Sequence, residues 1–157
     1  MSVITRTLVV FLGLSMFTGL LGGLPSDRRG QRAEAATTRT THEQRVRAMR
    51  IALAQRGDRY RYGAAGPNAF DCSGLTSFSY RRVGRKMPRT TDQQKARLRA
   101  VAKSAKRRGD IILFVNGGNA YHAGVYVGRN KIVHASRPGT PVKVDRIWNS
   151  RYVVRRP

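Results

Sequence analysis

The chain has 157 residues, 40% of them hydrophobic, and its 31 basic against 8 acidic residues give a formal net charge of +23. A chain of this length builds one domain around one core, and its single cysteine excludes an internal disulfide. The charge predicts binding to polyanions, but the basic residues are scattered in short clusters that match no nucleic-acid-binding motif, so nucleic acid is not the expected partner.

The first 35 residues are predicted to be a signal peptide. Arg6 is followed by an apolar run over residues 8–24, and Ala33-Glu34-Ala35 is an A-x-A cleavage pattern. Because the run is nearly long enough to cross a bilayer, an uncleaved N-terminal membrane anchor is the alternative, and only then is membrane contact expected. The protein is therefore expected to be secreted, or periplasmic and associated with the cell wall.

Residues 36–41 are predicted to be a short polar linker, and residues 42–157 a single domain. This stretch after Ala35 keeps 27 basic and 6 acidic residues, a net charge of +21. In the envelope, the anionic partners expected for such a surface are cell-envelope polymers. Thr41 and Gln44 have the spacing of a capping box, which predicts a first helix over residues 42–56.

The next stretch leads to the cysteine. Glycines and a proline predict a loop over residues 58–69. Asp71 is a good N-cap for a second helix that begins at Cys72 and ends at Gly84. The sequence therefore places the thiol in the first turn of a helix.

The second half of the domain is predicted to be mostly strand. Thr91 with Gln94 repeats the capping pattern for a short third helix through Leu98. Apolar or alternating segments separated by glycine-containing turns then predict strands at residues 111–115, 121–127, 131–135, 142–144 and 152–154. Helices followed by a meandering antiparallel sheet predict an α+β fold with the helices packed on one face.

The single cysteine, Cys72, is predicted to be an activated thiol. Unpaired N–H groups and the dipole at a helix N-terminus lower a thiol pKa, and a neighbouring imidazole extends the effect. His122 lies early on one predicted strand and His134 late on the next, so antiparallel pairing brings them near each other. The alternatives are a buried apolar cysteine and two structural histidines.

These three side chains suit nucleophilic catalysis. Cys72 is the candidate nucleophile, His122 the general base and then acid, and His134 the group that orients His122. The Cys72 backbone N–H would meet the oxyanion, and Tyr60 is the candidate for a second donor, or else a wall aromatic. No Asp, Glu or further Cys stands at a spacing that completes a zinc site, so neither metal nor cofactor is expected.

Six segments in this order match the pattern of a known family. They are Tyr60-Arg61-Tyr62-Gly63, Phe70-Asp71-Cys72-Ser73-Gly74-Leu75, Pro88-Arg89-Thr90-Thr91 with Gln94, Gly109-Asp110-Ile111, His122-Ala123-Gly124-Val125-Tyr126-Val127-Gly128 and Ile132-Val133-His134-Ala135. From residue 43 onwards the sequence resembles the NlpC family of bacterial cell-wall cysteine peptidases.

The resemblance implies a papain-like fold and an activity. The expected enzyme is a hydrolase that cuts peptidoglycan stem peptides, typically between γ-linked D-glutamate and the diamino acid that follows. The residue roles that it implies are a catalytic triad, a residue that supports the active site and two that help bind the substrate: Cys72, His122 and His134; Tyr60; Asp71 and Ser73.

Two other functions stay open beside this one. A same-fold amidase or acyltransferase would keep the triad and differ in its groove, whereas a non-catalytic cationic envelope binder would be expected to lose part of the triad. The sequence departs from the family at Ala64, where a second glycine usually follows Gly63, and this bears on the loop conformation. It also carries no wall-binding repeats, so the cationic surface is expected to do the targeting.

Overall fold

The computed structural model describes residues 39–157. The predicted signal peptide and the first residues of the predicted linker lie outside the described residues. At Thr40 the chain is already part of the fold, because this residue is buried and its amide donates to the carbonyl of Pro157. Within this range, no helix combines the length and the apolar character that a membrane crossing needs.

The described residues contain three α-helices and, between the first two of them, two short strands. The helices are α1 (His42–Ala54), α2 (Cys72–Arg81) and α3 (Thr91–Arg97), and the short strands β1 (Arg59–Tyr60) and β2 (Ala69–Phe70) pair in parallel between α1 and α2. The capping box of Thr41 and Gln44 is confirmed, and so is Asp71 as the N-cap of α2.

The main sheet of the described region has six antiparallel strands. They are β3 (Arg99–Val101), β4 (Ile111–Asn116), β5 (Asn119–Gly128), β6 (Lys131–His134), β7 (Lys143–Arg146) and β8 (Tyr152–Arg156), in the spatial order β3-β8-β4-β5-β6-β7. The predicted α+β layout is confirmed. A short 3₁₀ turn at Lys103–Ala105 connects β3 to β4.

Alternation along the strands divides the core into two layers. Ile111 and Leu113 of β4 belong to the layer that includes Leu75 of α2, whereas Ile112 and Phe114 face the opposite side of the sheet. Because successive strand residues point to opposite faces, one strand supplies both layers. The layer on the helix side holds α2, and with it Cys72, against the sheet.

Three short strands were not predicted. β1 and β2 lie within the predicted loop of residues 58–69, and β3 lies in a stretch where no strand was predicted. Each has only two or three residues, too few for alternation to be recognised. Their pairing depends on partners distant in sequence.

The predicted cap of α3 is one residue late. The N-cap is Thr90, in a capping box with Gln93. Gln94 is fully buried instead, and its amide nitrogen donates to the Thr76 hydroxyl at 2.8 Å and to the Ser73 carbonyl at 3.2 Å. A buried amide needs such partners, so tertiary bonding of Gln94 to α2 decides which threonine caps α3.

The departure at Ala64 leaves the loop intact. Gly63 has a φ of +76°, which favours glycine, whereas Ala64 is not among the described non-glycine residues with positive φ. The Ala64 carbonyl accepts from the amide of Asp71 at 2.9 Å. Alanine therefore fits this position without backbone strain.

Candidate active site

Asp71 fixes the start of the helix that carries the cysteine. Its carboxylate accepts from the backbone amides of Gly74 at 2.6 Å and of Gly63 at 2.9 Å, which ties the preceding loop to the N-terminus of α2. Cys72 and Ser73 are the first residues of α2, so their backbone N–H groups have no partner inside the helix. The thiol thus lies beside backbone donors that have no partner within the helix.

Arg89 completes this corner and was given no role by the sequence analysis. Its guanidinium donates to both carboxylate oxygens of Asp71 and, at 3.0 Å, to the hydroxyl of Ser73. Both oxygens of Asp71 are therefore engaged within the protein, and Asp71 and Ser73 are buried, whereas 37% of the Arg89 side chain is exposed. Arg89 is therefore the more accessible side chain of this ion pair.

Tyr60 reaches the cysteine through the short parallel pair. In the β1–β2 register Tyr60 is opposite Phe70, two residues before Cys72. Tyr60 lines a cavity of about 510 Å³ together with Cys72, and the exposed rings of Tyr62 and Tyr121 form further parts of the wall. In the described residues, the Tyr60 hydroxyl has no protein partner, so it is open to a ligand.

The thiol of Cys72 faces strand β5 next to the first histidine. The backbone N–H of Ala123 is a hydrogen-bond donor to the Cys72 sulfur, and Ala123 directly follows His122. The predicted packing of the Cys72 helix against the histidine-bearing strands is therefore observed. The thiol therefore lies close to the backbone of the strand that carries His122.

The two histidines meet across neighbouring strands, as predicted. Nε2 of His122 lies 2.8 Å from Nδ1 of His134, and the residues are only 7% and 2% exposed. The register pairs Val125 with Val133, so His122 and His134 are diagonal neighbours rather than directly opposite each other. Diagonal neighbours on one face are within reach of long side chains.

Asp145 extends this pair and was missed by the sequence analysis. Its Oδ2 lies 3.0 Å from Nε2 of His134 and 3.0 Å from Nζ of Lys143. In the β6–β7 register Asp145 is opposite Ile132, so it too is a diagonal neighbour of His134. Among residues 39–157, no group of three or more His, Cys, Asp or Glu side chains is arranged to hold a metal ion.

The contacts define the proton positions along this row. A carboxylate only accepts, so Nε2 of His134 carries hydrogen toward Asp145 and its Nδ1 holds the lone pair. Nε2 of His122 then donates to that lone pair, which leaves Nδ1 of His122 unprotonated. Only this tautomer gives His122 a lone pair for the proton of Cys72.

Burial keeps both reacting groups neutral at rest. It lowers the pKa of His122 to about 3, and the neighbouring His134 adds to the effect. Burial also raises the pKa of the Cys72 thiol above its ordinary value, although the hydrogen bond from Ala123 opposes this shift. The predicted lowering of the thiol pKa is therefore wrong, because desolvation outweighs the helix N-terminus.

Trp148 covers the histidine pair. Its indole stacks on Phe114 with ring centroids 3.9 Å apart, and its centroid lies 5.5 Å from that of His122 and 5.4 Å from that of His134. The side chain remains 48% exposed. Trp148 therefore shields the imidazoles from water with one face and presents the other to solvent.

Comparison with known proteins gives consistent matches. A model of the NlpC/P60 family matches residues 57–156. A protein of Corynebacterium glutamicum (strain R) named "Probable endopeptidase" is 42% identical over 116 residues, which cover 74% of this chain and 53% of that protein. The "Murein DD-endopeptidase MepS/Murein LD-carboxypeptidase" of Escherichia coli (strain K12) is 35% identical over 101 residues, which cover 62% of this chain and 54% of that protein.

A solved structure matches over nearly its whole length. The crystal structure of the NlpC/p60 domain of the peptidoglycan hydrolase SagA has a TM-score of 0.67 and 28% identity, covering 72% of this chain and 98% of that one. By contrast, the chain spans about half the length of the two relatives above.

Proposed function

This chain belongs to the NlpC/P60 family, and we propose that it is a cysteine endopeptidase that cleaves peptidoglycan stem peptides between γ-linked D-glutamate and the following diamino acid. The observation that carries the proposal is a thiol at a helix N-terminus, placed against the strand of a histidine whose far nitrogen already bonds a second histidine. Relatives named endopeptidases support the reaction class.

Acylation begins with proton transfer between neutral groups. The Cys72 thiol gives its proton to Nδ1 of His122 while the sulfur attacks the scissile carbonyl carbon. The S–C bond forms, and the carbonyl π electrons move onto oxygen. When this intermediate collapses, the carbonyl re-forms, the C–N bond breaks and the leaving nitrogen takes the proton from His122. The product of this half-reaction is a thioester and a free amine.

Donors near the thiol stabilise the oxyanion. The backbone N–H of Cys72 has no helical partner, and Tyr60 lines the same cavity as Cys72. Donors that are fixed before the reaction stabilise developing charge without having to reorganise, which is a large term in acyl transfer. We therefore propose Tyr60 as the second donor, in preference to the role of a wall aromatic.

Deacylation uses the same base. His122 takes a proton from water, whose oxygen attacks the thioester carbonyl. The C–S bond then breaks, and the thiolate regains its proton from the imidazolium. His134 and Asp145 hold His122 in one tautomer through both halves of the reaction and stabilise its charged form. The net reaction consumes one water and yields a carboxylate and an amine.

The cavity suits an anionic peptide. Arg89 is paired with Asp71, but its guanidinium is partly exposed and has further N–H groups for a ligand, and Tyr62 and Tyr121 supply aromatic walls. Stem peptides carry carboxylates that can pair with a guanidinium. We assign residues 1–35 to export and place the action of the catalytic domain outside the cytoplasm, where this substrate occurs.

Digestion of purified peptidoglycan by the native protein and by Cys72→Ala tests the class, the bond and the nucleophile together. Mass spectrometry of the fragments should show new D-glutamate carboxyl ends and new amino ends on the diamino acid, with none from Cys72→Ala. Free muramyl ends with intact stems would identify an amidase instead. Cuts confined to D,D-crosslinks would reject the assigned bond, and unchanged digestion by Cys72→Ala would reject the mechanism.

A further inference from the structure

A second cavity, separate from the one at Cys72, is lined mainly by arginines. It has a volume of about 510 Å³ and lies where the start of α1, the end of α3 and the end of β8 come together. We call it the arginine cavity, and its six arginines are Arg39, Arg45, Arg85, Arg97, Arg99 and Arg156. Thr40, Leu98 and Pro157 complete the wall.

The positive charge of the arginine cavity is mostly uncompensated. Among the described residues, Arg156 is the only one of the six with an acidic partner, the buried carboxylate of Asp110, at 2.6 Å. Arg99 stands directly opposite Arg156 in the β3–β8 register, an unfavourable like-charge pair. The buried Nε atoms of Arg45 and Arg85 have no hydrogen-bond partner. An anion in the cavity would relieve this repulsion.

We propose that the arginine cavity binds a phosphodiester group of an anionic envelope polymer. Planar guanidinium groups bind phosphate oxygens in a bidentate manner, and several of them can share one phosphate. The oxygens of a phosphodiester are arranged tetrahedrally around phosphorus, so guanidinium groups can approach from several directions, whereas the two oxygens of a carboxylate accept mainly within one plane. Phosphate chemistry therefore fits a cluster of arginines better than carboxylate chemistry does.

The dimensions and lining of the cavity favour a polymer segment over other phosphates. Its volume lies within the range of pockets for small organic ligands and exceeds what a lone phosphate fills. None of the lining residues is aromatic, whereas single-stranded nucleic acids are usually held by stacking of bases on aromatic rings. A phosphodiester with a sugar or polyol on each side matches both features.

Helix α3 connects this cavity to the candidate active site. Thr90 and Thr91, at its start, line the cavity of Cys72, and Arg97, at its end, lines the arginine cavity. Seven helical residues span about 10 Å. A polymer held at the arginine cavity would therefore keep nearby stem peptides close to the thiol, although the binding itself does not depend on peptidase activity.

Two double variants of equal charge test the proposal in the full chain. Arg97→Gln/Arg99→Gln removes two exposed cavity arginines that make no side-chain hydrogen bond among the described residues. Arg50→Gln/Arg137→Gln, the control, removes two exposed arginines that line neither cavity. Calorimetry at fixed ionic strength then measures binding of a glycerol phosphate oligomer, polyglutamate of equal charge, oligothymidylate of equal phosphate number, and inorganic phosphate.

The glycerol phosphate oligomer should bind the native protein and the control alike. Its binding to Arg97→Gln/Arg99→Gln should be weaker by about tenfold or more, since each charge-assisted hydrogen bond contributes enough for about a tenfold change. Polyglutamate, oligothymidylate and inorganic phosphate should bind more weakly than the oligomer. The proposal would be overturned if both double variants lost the same affinity for the oligomer. It would also be overturned if polyglutamate bound as tightly as the oligomer, if oligothymidylate bound more tightly, or if inorganic phosphate bound as tightly at an equal concentration of phosphate groups.

The same variants separate this proposal from the peptidase function. Arg97→Gln/Arg99→Gln should hydrolyse a soluble stem peptide at the native rate, and Cys72→Ala should bind the oligomer with native affinity. A peptidase that fails on every stem peptide while the oligomer still binds would reject only the proposed function. Loss of oligomer specificity with intact hydrolysis would reject only the arginine cavity.

Discussion

Replacing Asp145 by asparagine tests whether the carboxylate sets the proton positions along the histidine pair. An amide can present either its oxygen or its nitrogen to Nε2 of His134. If the nitrogen donates, Nδ1 of His134 must carry the hydrogen, and the donor between His134 and His122 is reversed. Nδ1 of His122 then holds a proton and cannot accept the one from Cys72.

The contact distances give the size of the effect. Asp145 lies 3.0 Å from Nε2 of His134, and its side chain is 36% exposed. A hydrogen bond to a charged group contributes about 1.5–3 kcal/mol, and exposure places this one near the lower end. Loss of the energetic preference for the productive tautomer corresponds to about a tenfold fall in kcat. The fall reaches about a hundredfold if the amide nitrogen faces His134.

Steady-state hydrolysis of a soluble stem peptide measures this prediction. We expect kcat to fall and KM to stay unchanged, because Asp145 does not line the substrate cavity. Lys143→Gln is the matched control, since it removes the other partner of Asp145 and leaves the bond to His134 in place. A native kcat in Asp145→Asn would refute the tautomer argument, and a rise in KM alone would show that Asp145 acts on binding.

Three further predictions follow from the site and the surface. Trp148→Ala should lower the free energy of unfolding by about 1–2 kcal/mol through loss of stacking on Phe114. It should also raise the pKa of His122 from about 3, moving the acid limb of the kcat/KM profile to higher pH; superimposable profiles would contradict this. Burial raises the pKa of Asp71, but hydrogen bonds, that from Arg89 foremost, bring it below its ordinary value, so this stabilisation exists above about pH 4 and disappears as pH falls further. Arg89→Leu should therefore destabilise the protein by about 2 kcal/mol at neutral pH and by less at pH 3, measured by urea unfolding, and an equal loss at both pH values would argue against it. Binding to purified sacculi should weaken with salt, because exposed charges are screened over about 10 Å at 0.1 M, and salt-independent cosedimentation would reject an electrostatic contact.

Local signals were enough to predict most of the fold. Asp71 caps α2 as its side chain predicts, and the hairpin strands follow the apolar alternation. The start of α3 could not be resolved in this way, because both Thr90 with Gln93 and Thr91 with Gln94 have the spacing of a capping box. Only packing against α2, which buries the second glutamine, selects between them.

The sequence predicts the part of the candidate site that lies on one β-hairpin. It does not predict the part that depends on how a later strand pairs with this hairpin. His122 and His134 are joined by a short turn, so their proximity follows from the sequence. Asp145 reaches His134 only because a loop of irregular structure returns β7 to β6 in one particular register. The raised pKa of Cys72 was missed for a related reason, since its cause is burial by the assembled sheet and not the helix that carries it.

The three polar groups behind the thiol form a diagonal row across β5, β6 and β7. His122 is buried and Asp145 lies on an edge strand in contact with solvent, so the row runs from a site that disfavours charge to one that tolerates it. Proton transfer from Cys72 creates a positive charge on His122, where a lone buried imidazolium would be costly. His134 lies between them with its lone pair toward His122 and its N–H toward the carboxylate, so its dipole stabilises that charge. The diagonal register therefore explains how a site that is neutral at rest can stabilise an ion pair during the reaction.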